Sequence, residues 1–349
     1  MSGRVGFACA YAPLPLIHAA GLVPYRILPL GEAPDRAGAL LHDSLCPHVK
    51  RVLDRVLAQD LPELEGMVLM LSCDAMRRLA DAWSTARPGD RLAVVDLPVT
   101  DDEGAVERLA AELRRLADRL GQWSGAPRTD ADLAASCDLY ERLAAGLGRV
   151  GERFASGALA GGRAKFQELL NRSVSEPPEA TLAEIEGLLA QPETRGAERL
   201  GVPILLVGNV LPDPGALALV ESCGALVVAD DLCSGSRQLA APCAIGHGDA
   251  VTRLARASLR RPRCARTISS AEPGSLAREV VERARAVAAR GVVVHVAKFC
   301  DPYLARIPAL RGALRQAGIP TLVLEGDCSL RSLGQQRTRV AAFVEMLEA

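Results

Sequence analysis

The sequence predicts an α/β protein of two similar Rossmann-like domains, each a doubly wound and mainly parallel sheet, with a helical segment between them. Three observations carry that expectation. Short apolar runs alternate with helical stretches at both ends of the 349-residue chain, the pattern of parallel strands joined by crossover helices. The middle of the chain carries amphipathic helix patterns instead. The two ends also resemble each other: "VGFACAYAPLPLIHAAGLVPYRI" parallels "ILLVGNVLPDPGALALVESCGALVVAD", and "GMVLMLSCDAMRRLADAWSTARPGDRLAVVDL" parallels "GVVVHVAKFCDPYLARIPALRGALRQAGIPTLVLEGD".

In chain order, "VGFAC" reads as the first strand and Pro13 to Ala20 as a helix that proline starts. "LVPYRIL", "GMVLMLSC" and "RLAVVDLPV" follow as strands. From Asp101 to about Arg195 the period changes. "AVERLAAELRRLADRLGQW" and "LYERLAAGLGRVGERF" place apolar residues three and four apart, as amphipathic helices do. "SEPPEA" breaks this region before one more short helix. Strands return in "VPILLVGNV", "GALVVADDLC", "GVVVHVAKFC" and "IPTLVLEGD". The expected division is residues 1–125, 126–200 and 201–349: an N-terminal α/β domain, a helical segment and a C-terminal α/β domain.

Composition narrows the function. Hydrophobic residues make up 49% of the chain, enough for a large core. A formal net charge of −1 gives no reason to expect nucleic acid or an acidic membrane as partner. The arginines between residues 105 and 165 are interleaved with Glu and Asp, as on a solvated or subunit-facing helix surface. No run reaches the roughly 20 apolar residues of a membrane helix, and the N-terminus lacks the pattern of a signal peptide. The expected location is cytoplasmic. There is no Walker A motif for ATP and no GxGxxG after a strand for a nicotinamide cofactor. None of the five histidines forms an HxxxH or HExxH pair.

Ten cysteines in a reducing compartment point to metal or redox chemistry rather than disulfides. Cys9, Cys73, Cys233 and Cys300 fall at strand ends, where ligand sites of open parallel sheets lie. Cys46 and Cys264 sit beside prolines at expected loop-to-helix positions. Helix N-termini, with Lys50, Arg263 and Arg266 nearby, would favour their thiolates. Along the chain the six form two sets of three: Cys9, Cys46 and Cys73, then Cys233, Cys264 and Cys300. Long irregular spacing without a CxxC pair argues against a zinc finger, and soft thiolates without histidine suit an iron–sulfur cluster. Cys137, Cys223, Cys243 and Cys328 read as structural. His48 reads as an exposed first-turn helix residue with a lesser case as a proton donor. Lys50 and Lys298 each flank a candidate ligand.

The chain resembles the 2-hydroxyacyl-CoA dehydratase and benzoyl-CoA reductase superfamily, and within it the double-cubane cluster proteins. The resemblance rests on "CAYAPLPLIHAAGLVP", "LCPHVK", "SCDAMRRL", "DDLCSGSR", "RRPRCA", "KFCDPY" and the C-terminal "GIPTLVLEGDCSLRSLGQQRTRVAAFVEML". It implies two α/β domains with the cluster in the cleft between them. For the dehydratases it implies three ligands per subunit, matched by Cys46, Cys73 and Cys300. For the double-cubane proteins it implies six, matched by Cys9, Cys46, Cys73, Cys233, Cys264 and Cys300, holding two 4Fe-4S units. It further implies a separate ATP-hydrolysing iron–sulfur activator as electron source, with a homodimer or a related second subunit. One departure stands out: Leu14 and Pro15 occupy places where the family usually carries acidic residues after the first cysteine.

The leading expectation is therefore an iron–sulfur reductase with a double-cubane cluster, driven through the activator to reduce a small substrate at low potential. The alternative is a subunit of a 2-hydroxyacyl-CoA dehydratase or benzoyl-CoA reductase with a single 4Fe-4S cluster, acting on an acyl-CoA thioester. A third class is a cluster carrier or scaffold without chemistry, which the retention of all six cysteines opposes.

Overall fold

The computed structural model describes residues 3–31, 35–126, 129–193, 200–239, 246–328 and 333–349. The first unit runs β1 (Arg4–Phe7), α1 (Leu14–Ala19), β2 (Val23–Arg26), α2 (Pro47–Leu57), β3 (Gly66–Leu71), α3 (Asp74–Ala86) and β4 (Leu92–Asp96). A helical stretch follows: α4 (Glu103–Ser124), α5 (Asp130–Ser156), α6 (Gly162–Arg172) and α7 (Pro178–Ala190). The second unit runs β5 (Val202–Gly208), α8 (Pro214–Ser222), β6 (Ala225–Asp231), α9 (Ala250–Arg260), α10 (Ser275–Ala286), β7 (Gly291–Ala297), α11 (Asp301–Gln316), β8 (Thr321–Gly326) and α12 (Leu333–Glu348).

Each unit holds a four-stranded parallel sheet, and the two sheets have the same strand order, β2-β1-β3-β4 and β6-β5-β7-β8. The sequence resemblance of the two ends is thus a resemblance of topology. In both sheets the chain moves first to one side of the opening strand and then to the other. The switch lies between β1 and β3, and again between β5 and β7, so loops part there and leave a crevice at the strand ends. The inner strands are mostly buried, and β7 is buried at every position, as expected of strands covered on both faces.

Local chemistry explains the long helices. Asp102 caps α4 by accepting from Ala105 N at 2.9 Å, and the helix stops where Gly125 takes the left-handed conformation. Thr129 and Asp132 form a reciprocal capping box for α5, which ends at left-handed Gly157. Buried residues of α4 to α7 share one apolar core with the first sheet. The apolar face of α9, from the second unit, joins that core by packing on α4, while α6 packs on α8. The helical stretch therefore touches both units. Three of its surface arginines are paired: Arg115 with Glu112, Arg142 with Glu186 at 3.4 Å, and Arg114 with Asp249 at 2.8 Å. Among the described residues no helix is long and apolar enough to cross a membrane. Cys243 lies outside the described residues, as do residues 329–332 of the C-terminal motif.

Candidate metal centre

One pair of cysteines occupies equivalent positions of the two units. Cys73 is the N-cap of α3 and Cys300 the N-cap of α11; each follows the third strand of its sheet and precedes an aspartate. Cys46 is the N-cap of α2, with Pro47 in the first turn, as expected. Cys9 lies just past β1 and Cys233 just past β6. Cys264 departs from expectation, for no helix begins there. Thr267 N closes a turn on the Cys264 carbonyl at 3.0 Å and Ile268 N bonds to Val99 O at 2.8 Å, so the chain stays irregular until α10.

Pairwise electrostatic contacts link the six thiols into one connected set. Cys9, Cys233 and Cys264 are mutual electrostatic neighbours. Cys46 and Cys300 are close enough to shift each other's thiols in opposite directions, and Cys73 neighbours Cys300 in turn. Cys73 also neighbours Cys9 and Cys264, which joins the two trios. The contacts cross the two units, Cys46 with Cys300, Cys9 with Cys233 and Cys264, and Cys73 with Cys300 and Cys264, and also run within them, Cys73 with Cys9 and Cys264 with Cys300. Sheet topology causes this, because strand ends of both units open into the same crevice.

Their protonation does not follow the expected basic neighbours. Lys50 turns to Asp43 at 3.2 Å, Arg263 is held by Asp101 at 2.7 Å and Glu279 at 2.5 Å, and Arg266 donates to Pro98 O at 2.5 Å. Lys298 is exposed. Burial dominates instead: it pushes the thiols of Cys9, Cys233 and Cys264 up, and that of Cys73 up to about 12. Cys300 is the exception. Its thiol is held down by the neighbouring Cys46 thiol, with help from the Tyr303 N–H at the start of α11 and the Asn209 side chain. Asn209 is itself fixed, because its Oδ1 accepts from Ala297 N at 3.0 Å.

Sequence reading missed the residues that wrap these thiols. Arg26 is 1% exposed and lies on β2. It donates from Nε to Ala8 O at 3.3 Å and from Nη1 to Cys233 O at 2.7 Å, with Nη2 3.9 Å from Cys233 Sγ. Arg261, 6% exposed at the end of α9, donates to Ala10 O at 2.6 Å and covers the Tyr11 ring at 5.1 Å. The Tyr11 hydroxyl accepts from Cys264 N at 3.4 Å and meets Thr267 Oγ1 at 3.1 Å. Cys9 Sγ stands 3.2 Å from Ser72 Oγ. In an arginine-rich chain nothing local distinguishes these arginines from those on helix surfaces.

His48 is not an exposed helix residue. It is buried, its Nε2 has no hydrogen-bond partner, and burial, with the charge of Arg26 adding, lowers its pKa to about 3. Cys137 is buried inside α5, and Cys223 caps α8 with its Sγ 3.6 Å from Arg337 O, as befits structural residues. Cys328 follows β8, is buried, and neighbours Cys233 and Cys300. It lines a cavity of about 200 Å³ with Lys50, Arg51, Asp327 and Phe299. Phe299, beside Cys300, is 47% exposed with a φ of 57°, a conformation costly to a bulky residue. Leu14 and Pro15 are buried in α1, where an acidic side chain would lie in an apolar setting.

Among the described residues no three Cys, His, Asp or Glu side chains converge tightly enough for a single metal ion. Thiolates that each bind a different iron of one cluster need not meet at a point, so the donor set fits a cluster rather than a lone ion.

Comparison with known proteins follows the same lines. A family model described as 2-hydroxyglutaryl-CoA dehydratase, D-component, matches residues 9–347. The chain is similar to the lactoyl-CoA dehydratase subunit beta of Anaerotignum propionicum, with 24% identity over 99% of this chain and 92% of that one. It is also similar to the (R)-phenyllactyl-CoA dehydratase beta subunit of Clostridium sporogenes, with 21% identity over 99% and 92%. A benzoyl-CoA reductase subunit of Thauera aromatica shares 24% identity over 90% of this chain and 83% of its own length.

Proposed function

The chain belongs to the 2-hydroxyglutaryl-CoA dehydratase D-component family, and on that premise we propose that it is an iron–sulfur reductase carrying a double-cubane cluster. Cys46, Cys73 and Cys300 hold one 4Fe-4S unit, and Cys9, Cys233 and Cys264 hold the other. The observation that supports this reading is the set of pairwise electrostatic contacts that links six cysteines, three from each α/β unit. When bound, the cluster supplies low-potential electron transfer. The chain's own residues partly bury the thiols and place polar groups beside their sulfurs, as Asn209 helps to hold down the Cys300 thiol.

The electrons come, on this proposal, from a separate ATP-hydrolysing iron–sulfur activator, and the acceptor is a small molecule. The active assembly is a homodimer or pairs the chain with a related second subunit. Residues 1–125 and 201–349 act as the jaws of the site, with 126–200 as the helical layer beside them, in the cytoplasm.

A second reading is favoured by the relatives, which are named as subunits of acyl-CoA dehydratases and of a reductase. Under it, Cys46, Cys73 and Cys300 hold a single cluster that acts on an acyl-CoA thioester. Iron and acid-labile sulfide counted per chain after oxygen-free purification separate the two. About eight irons support the double cubane and about four the single cluster. No iron after anaerobic reconstitution sinks both.

A further inference from the structure

Five arginines are buried in the described structure, and three have a carboxylate partner: Arg163 with Asp230, Arg256 with Glu103 at 2.9 Å and Arg237 with Asp231 at 3.2 Å. Arg26 and Arg261 have none among the described residues. Their donors go to backbone carbonyls and, for Arg26, to the neutral Gln238 side chain. One buried nitrogen of Arg261, Nη2, has no hydrogen-bond partner among the described residues. A guanidinium taken out of water without an anion is costly, and a protein that only needed to fold would place a neutral residue there.

Both unpaired cations stand on the same side of the crevice. Arg26 grips the carbonyl before Cys9 and Arg261 the carbonyl after it, at Ala8 and Ala10. Arg26 also reaches Cys233, and Arg261 lies over Tyr11, whose hydroxyl contacts Cys264. Among the described residues the other trio has no unpaired buried guanidinium bonded beside it: Arg266, an electrostatic neighbour of Cys73, is half-buried and bound to Pro98 O, and Asp74 is paired with Arg78 at 3.7 Å. Asp74 follows Cys73 and Asp301 follows Cys300, while the nearby Lys50 is engaged by Asp43.

We propose that Arg26 and Arg261 are fixed counter-charges for a thiolate-bound centre on Cys9, Cys233 and Cys264, so that this half of the site accepts an electron at a less negative potential than the half on Cys46, Cys73 and Cys300. The inference rests on the double-cubane reading and adds a direction to it. Fixed positive charge in a low-dielectric site stabilises the more negative, reduced state. If a cluster is held there, the two guanidiniums would favour added negative charge on the half at Cys9, Cys233 and Cys264 over the half at Cys46, Cys73 and Cys300. Both arginines are positioning residues here; neither touches substrate.

The test compares wild type with Arg261→Met and Arg261→Lys, each reconstituted anaerobically, with iron counted and midpoint potentials read by EPR-monitored titration. Arg261→Met is expected to move one midpoint to more negative values with iron intact, and Arg261→Lys to restore it. Loss of iron in the Met variant alone also supports the proposal, because the charge is then needed to hold the centre. Unchanged midpoints with full iron overturn it, as does a Lys variant that behaves like the Met variant. The iron-free proteins give a second readout. Loss of the Ala10 and Tyr11 contacts is offset there by removal of a buried charge, so iron-free Arg261→Met is expected to stay folded with a Tm near that of wild type. A variant that does not fold without iron makes Arg261 a structural residue and overturns the proposal. Wild type without iron removes the cluster reading itself, a result distinct from all of these.

Discussion

Arg26 on β2 donates its Nη1 proton to the backbone carbonyl of Cys233 at 2.7 Å, joining the first α/β unit to the loop that leaves β6 of the second. The same guanidinium holds Ala8 O, one residue before Cys9. One planar fork thus fixes the spacing between two candidate ligands that lie far apart in the chain.

Arg26→Lys keeps the charge and loses the fork. A lysine cannot serve the Ala8 and Cys233 carbonyls and Gln238 together, so buried acceptors are left unpaired. The expected cost is about 2–4 kcal/mol, read as a lower urea midpoint. An unchanged midpoint means that the joint is not a source of stability.

Gly208 ends β5 with a φ of 157°, and a Cβ there would run into the His295 carbonyl on the neighbouring strand. Its own carbonyl takes hydrogen bonds from Arg237 and from the Tyr303 hydroxyl, the latter at 2.7 Å. Gly208→Ala must push β5 from β7 and displace Asn209 from Cys300. We expect a loss of about 3 kcal/mol or more in chemical denaturation. Wild-type stability in this variant contradicts the close approach.

Cys233→Ser and Cys264→Ser should each remove about half the iron if two cubanes are bound. Cys328→Ala, at a position with no cysteine counterpart after β4 of the first unit, should leave the iron count as it is. Full iron in the serine variants takes Cys233 and Cys264 out of the ligand set.

His295 gives the fold a pH dependence. It is fully buried, and burial lowers its pKa from 6.5 to about 4. Its Nε2 stands 2.9 Å from Asp327 O, so the proton sits on Nε2, and Nδ1 is buried without a partner. Between pH 6.5 and 4 the unfolded chain binds a proton that the folded chain does not. Its contribution is therefore complete above about pH 6.5 and falls by about 3 kcal/mol as the pH drops to about 4. His295→Gln keeps a donor for the carbonyl and should flatten the wild-type slope in that window. Parallel slopes for the two proteins remove His295 as the cause.

Much of the architecture is legible in the sequence. Alternating and helical apolar periods mark the strands and long helices, and the repeated strand–Pro-helix–Gly–strand order foretells the shared strand order of the two sheets. The apolar runs "VGFAC" and "GMVLMLSC" overreach the true strand ends by a residue or two, since apolar pattern does not register where backbone pairing stops. Strand-end position also picks out Cys9, Cys73, Cys233 and Cys300, because parallel topology sends those positions to one edge of the sheet.

What the sequence determined by itself was this set of elements, their repeat and the thiols carried at their ends, all of which follow from local pattern and chain order. Tertiary structure alone decided the partners: that Cys46 meets Cys300 rather than Cys9, that His48 is buried, and that Lys50 and Arg263 turn to carboxylates while Arg26 and Arg261 enter the crevice unpaired. The physical reason is that pairing and desolvation depend on which surfaces face each other across the two sheets. A residue's chemical type is written in the chain, but the field it stands in is made by neighbours far along it, as Cys233 is for Arg26.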